Sequence, residues 1–132
     1  MWRDRALKVT LILVGLLFTA AVYPVAMDLW LGYAEDTGDT MMGGLYLTLG
    51  IFLLLAVGNP SAHRSLIAFA AWSSFAHAVV MSSLALRQRY ASDRPGFLGG
   101  SAVLVVIGVA LLVLAPGKPS RAAAPQEALI LQ

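Results

Sequence analysis

The stretch TMMGGLYLTLGIFLLLAVGNPSAHRSLIAFAAWSSFAHAVVMSSLAL, residues 40–86, carries a single formal charge, at Arg64. Two uncharged runs, residues 40–62 and 65–86, lie on either side of it. At about 1.5 Å of rise per residue, roughly 20 helical residues cross a hydrocarbon core of about 30 Å. Both runs are long enough. Lipid offers no partner to a free backbone N–H or C=O, so each run is expected to be helical. The strands of a membrane barrel would alternate polar and apolar residues, and these runs do not. Gly58 is placed to close the first run, and Asn59-Pro60 reads as an N-cap followed by proline at the start of the second. A connection this short makes the two an antiparallel hairpin.

The same reading extends outward. Residues 9–27 and 95–117 are also uncharged and of similar length, and every Asp, Glu, Lys and Arg falls in the short zones between such runs. The expected fold is all-α: a polytopic membrane protein, an antiparallel four-transmembrane-helix bundle over residues 1–117. Its helices cover about residues 6–30, 40–57, 60–86 and 95–115. Pro24 should kink the first helix or stop it early. Asp39 or Thr40 can cap the second and Asp93 the fourth, with Pro95 in its first turn and Pro116-Gly117 at its end. Residues 118–132 are rich in Ala and Pro and are expected to be disordered. A cleaved signal peptide competes for the first span. The uncharged run is longer than the apolar core of a typical signal, about 7–15 residues.

Composition agrees. Of 132 residues, 59% are hydrophobic and 12% are charged, against about 25% charged in a soluble domain. The absence of cysteine excludes disulfide stapling, thiolate catalysis and sulfur-based metal sites. The net charge of +2 is small, and no basic stripe points to nucleic acid. Arg3, Arg5, Lys8, Arg64, Lys118 and Arg121 fall on one side of the expected bundle. Arg87, Arg89 and Arg94 fall on the other. The positive-inside rule then places both termini in the cytoplasm. Trp30 and Tyr33 read as interfacial anchors in an acidic outer loop.

Few residues offer chemistry. The third span holds Ser65, Ser73, Ser74, His77, Ser82 and Ser83, with His63 at its start. His63 and His77 stand about four helical turns apart, so both imidazoles are expected to point along nearly one face. This spacing resembles the histidine pair of membrane b-type cytochromes, where each supplies one axial ligand to one of two haems. The chain has only these two histidines, so a bis-histidine haem b site would need a symmetric dimer. The plainer reading has His77 hydrogen-bonding to Ser73, Tyr23 or Tyr46 as polar glue. Met27, Met41, Met42 and Met81 fall toward the outer half. His77 with Met81 would suit copper(I), although methionine is also ordinary packing material. Gly96 and Gly100 form a GxxxG pair that, with Ser74, suits close helix packing or a dimer interface.

Absences set the functional expectation. Residues 40–62, 65–86 and 95–117 contain no Asp or Glu, so the buried carboxylate of a proton-coupled exporter is missing. No nucleophile, base and orienter stand together, so an enzyme is not expected, and no cofactor is. The leading reading is a non-enzymatic membrane protein acting through protein or lipid contacts. It would work as a homo-oligomer or as a subunit beside a membrane-protein partner. The alternatives are a haem- or copper-binding redox protein using His77 with His63 or Met81, and a transporter of a neutral or apolar solute.

Residues 7–24 (LKVTLILVGLLFTAAVYP), 41–60 (MMGGLYLTLGIFLLLAVGNP) and 61–81 (SAHRSLIAFAAWSSFAHAVVM) together resemble a small bacterial membrane family of unknown function. That family is similar in size and layout to the DoxX-like proteins, and residues 59–77 carry the likeness best. The resemblance implies four helices and a bacterial inner-membrane location, and it brings no catalytic role.

Overall fold

The computed structural model describes residues 1–32, 37–87 and 91–118, the side chain of Thr37 excepted. Residues 119–132 of the expected tail (118–132) and the interfacial Tyr33 lie outside the described residues. Among the described residues there are helices and no strand. They are α1 (Trp2–Thr19), α2 (Val22–Leu31), α3 (Thr37–Ala56), a 3-10 turn (Pro60–His63), α4 (Arg64–Ala85) and α5 (Arg94–Leu114). Four helical stretches are long and apolar enough to cross a membrane, α1 and α2 together making one of them.

The break between α1 and α2 falls one turn before Pro24. Proline has no N–H and its ring crowds the carbonyl four residues earlier, here that of Ala20. That carbonyl instead accepts the Tyr23 N–H at 3.1 Å. Proline therefore sits in the first turn of α2, where it is tolerated, and the kink lies at residues 20–21. Gly32 ends α2 with φ 67°, the only positive φ among the described residues. Its N–H donates to the Asp28 carbonyl at 2.9 Å, a left-handed stop suited to glycine.

Three expected caps differ, and of these Asp93 does stand at the N-cap of α5 but makes no side-chain capping bond. Asn59 precedes a 3-10 turn rather than the α-helix, which starts later at Arg64, and its side chain makes no capping bond. The Thr40 hydroxyl lies inside α3 and donates across to Asp28 Oδ2 at 2.9 Å, tying α3 to α2. Arginines finish two helix C-termini: Arg3 donates to the Val113 carbonyl (2.9 Å) and Arg94 to that of Ala85 (2.8 Å). Each meets carbonyls that the helix leaves unpaired.

The helices pack in the order α3, α1, α5, α4. Leu11, Leu53, Ile67 and Leu111 are the large apolar side chains buried completely, one from each long helix. Their positions place this core toward the end that holds the chain start and the Pro60–His63 turn. The α1–α3 crossing is glycine against glycine: a Cβ on Gly15 would lie 3.1 Å from the Gly50 carbonyl oxygen, and one on Gly50 2.8 Å from that of Gly15. The α4–α5 crossing works the same way. A Cβ on Gly108 would meet the Phe75 ring at 2.7 Å and the Ala71 carbonyl at 3.1 Å, and one on Gly100 would meet Met81 Cε at 2.6 Å.

The hairpin partners α3 and α4 share little of their length despite the short turn between them. Chain connectivity makes them antiparallel, and small residues on their other faces decide whom they pack against. Within each apolar stretch only 22–28% of residues are buried. Leu29, Trp30, Leu45, Leu55, Phe69, Trp72, Val79 and Val106 are among the many large apolar side chains left exposed. Water-soluble monomers rarely expose contiguous apolar surface on this scale.

Candidate functional site

The loose seam between α3 and α4 forms a lateral groove of about 530 Å³, within the range of small-molecule sites. Each wall is a stripe at helical spacing. Met42, Leu45, Tyr46, Leu49 and Phe52 line it from α3, and Leu66, Phe69, Ser73, His77 and Val80 from α4. Residues three and four apart share a helix face, so the two stripes confront each other along the seam. Thr48 and Ala76 complete the wall.

Its polar groups differ in kind. The Thr48 hydroxyl donates to the Gly44 carbonyl at 3.0 Å and that of Ser73 to the Ala70 carbonyl at 3.1 Å. Both are satisfied by their own helix. Tyr46 and His77 touch through their rings, centroids 5.3 Å apart and planes at 83°. Tyr46 in turn meets the buried Phe18 edge-on at 4.8 Å. The stack Phe18–Tyr46–His77 thus runs from α1 through α3 to α4 and ends in the groove. No hydrogen bond joins the His77 imidazole or the Tyr46 hydroxyl to any described residue.

That corrects the polar-glue reading of His77. Its contact with Tyr46 is edge-to-face, the Ser73 hydroxyl is turned to its own helix, and Tyr23 is exposed. Met81 lies one turn along α4, yet its methyl packs on Gly100 of α5, whereas His77 faces α3. His63 is the exposed last residue of the 3-10 turn. A face count that assumes unbroken α-helix from one histidine to the other therefore does not apply to the pair. Among the described residues, no three of His, Cys, Asp and Glu stand close enough to hold a metal ion.

Ser74 is wholly buried and donates to the Ala70 carbonyl at 2.7 Å. Gly100 lies inside the α4–α5 crossing, while Gly96 has open space beside it. Ser82 donates to the Ser101 hydroxyl (3.0 Å), which donates to the Ala78 carbonyl (2.9 Å). This relay joins α4 to α5. Sequence reasoning missed the groove itself. The signal was the pair of stripes; the short turn shows that α3 and α4 are antiparallel and says nothing of how closely they pack.

The model of a family of unknown function (DUF6632) matches residues 3–128, the whole bundle and the groove with it. No curated protein and no solved structure matches the chain.

Proposed function

The chain belongs to the family of unknown function DUF6632, and we propose that it is a non-enzymatic membrane protein that holds an apolar molecule, drawn sideways from lipid, in the α3–α4 groove. In this reading the four apolar stretches span the inner membrane of a bacterium, with both termini in the cytoplasm. The excess of basic residues at the terminal side supports that orientation. The chemistry on offer is recognition by shape and apolar contact.

One observation carries the proposal: the groove lies between helices that are each packed tightly on the opposite side. Closing it would require pulling α3 from α1 or α4 from α5. Its walls are almost wholly apolar, and in a bilayer it opens directly to acyl chains.

The test is extraction of the protein in mild detergent, followed by mass spectrometry of what co-purifies. Wild-type protein should carry a defined apolar species at near-stoichiometric level. Ala76→Trp, which places an indole in the groove, should lose it while keeping the same helical content and a monodisperse elution profile. Identical extracts from the two proteins would refute the reading.

A further inference from the structure

We propose that the groove's ligand is a neutral long-chain amphiphile with one small oxygen-bearing head group, a hydroxyl or a carbonyl, bound between Tyr46 and His77. The inference rests on the groove reading above and adds which end of the ligand goes where.

The polar side chains of the groove define the head-group position by elimination. Thr48 and Ser73 are engaged by their own helices. Tyr46 and His77 are held to each other only by ring contact, which leaves the phenolic O–H and the imidazole nitrogens for a ligand. Hydrocarbon supplies no hydrogen bonds, so an oxygen lodged at this point answers an unmet demand on both sides. A hydroxyl suits it best, because it can accept from one partner and donate to the other.

Charge and depth restrict the head group further. No Lys, Arg, Asp or Glu lines the groove, so a phosphate would find no counter-charge. His77 lies about 12 Å along the helix axis from the end of α4 at Ala85. An ionised group at that depth is disfavoured, and the head group of an ordinary phospholipid stays at the interface.

The apolar remainder of the groove sets the tail. From His77 back to Leu66 is about 16 Å of helix, walled by Leu49, Phe52, Leu66 and Phe69. The tail therefore runs from His77 toward the Pro60–His63 turn.

The experiment uses the full chain in nanodiscs and a long-chain primary alcohol bearing a mid-chain diazirine. Competitors are the unlabelled alcohol, the alkane and the carboxylic acid of equal length. Photolabelling should saturate, map to α3 and α4, and be competed far better by the alcohol than by the alkane. Tyr46→Phe keeps the ring contact and removes the hydroxyl, while His77→Phe removes the nitrogens. Each should weaken alcohol competition by roughly three- to tenfold, the effect of one hydrogen bond, and leave alkane competition unchanged. Equal competition by alcohol and alkane, unmoved by either variant, would overturn the head-group assignment and leave the groove reading standing. Best competition by the acid would overturn neutrality. Labelling that never saturates would remove the groove reading and this inference together.

Discussion

The α1–α3 crossing and the α3–α4 seam use two sides of the same helix to opposite ends. Toward α1, Gly50 lets two backbones meet, and a Cβ there would lie 2.7 Å from the Thr19 amide nitrogen. Toward α4, the same helix presents Leu45, Tyr46, Leu49 and Phe52, and a groove remains. In the bilayer setting proposed above, helices gain nothing from burying apolar surface against one another, because lipid is equally apolar. What draws them together is close fit, and small residues supply it. The molecule is therefore two glycine-packed pairs, α1 with α3 and α4 with α5. Contact between α1 and α5 joins them on one side, and the seam stays open on the other.

The largest expected effect comes from breaking the tight side. Gly50→Val would drive side-chain carbons into the Thr19 amide and the Gly15 carbonyl, backbone atoms that cannot turn away. Overpacking of this kind costs about 1–3 kcal/mol and sometimes more, and this site belongs at the upper end. A thermal-shift series in detergent should show a fall far larger than that of Ala76→Val on the open side. Equal melting temperatures for the two would mean that the crossing is not what holds α3.

The next effect has the opposite sign. The Thr19 hydroxyl is buried at the α1–α3 crossing without a hydrogen-bond partner. An unpaired buried polar group carries a desolvation penalty of about 1–3 kcal/mol, and valine has the same shape. Thr19→Val should raise the melting temperature of the protein. A drop would show that the hydroxyl is satisfied in the bilayer.

How much of this was legible in the sequence follows from what each feature depends on. Helix positions depend on where charge is absent, and the runs around residues 40–62 and 65–86 announced them. The kink depends on Pro24 and could be read to within a turn. The start of α4 could not. Asn59-Pro60 looks like an ordinary helix entry, and only the geometry of the connection converts it to a 3-10 turn. Neighbours in space were the least readable, because the turn argued for α3 beside α4, and nothing in the sequence says which helix each of Gly15, Gly50 and Gly108 meets. Tyr46 and His77 could each be singled out as polar, but their meeting depends on that unread packing.

A smaller effect separates the α4–α5 pair from the seam. Ser101→Ala removes the relay from Ser82 through Ser101 to the Ala78 carbonyl. Interhelical hydrogen bonds in membranes average only about 0.6 kcal/mol, so the expected loss is of that order, readable as a modest fall in melting temperature. A loss several times greater would mean that the relay, more than Gly100 and Gly108, holds the pair.

The smallest effect tests the seam itself. Ser73 lines the groove, yet its hydroxyl is spent on the Ala70 carbonyl of its own helix. Such back-bonding slightly weakens a helix, if anything. It ties α4 to no other element, so Ser73→Ala should leave melting unchanged within about 0.5 kcal/mol. It should also leave the co-purifying ligand in place, since that hydroxyl is already engaged. The contrast with Ser101→Ala is then between two serines on facing helices, one bridging and one not. If Ser73→Ala empties the groove, the hydroxyl rotates away from Ala70 when the ligand arrives, and the polar end of the site extends a full turn beyond His77.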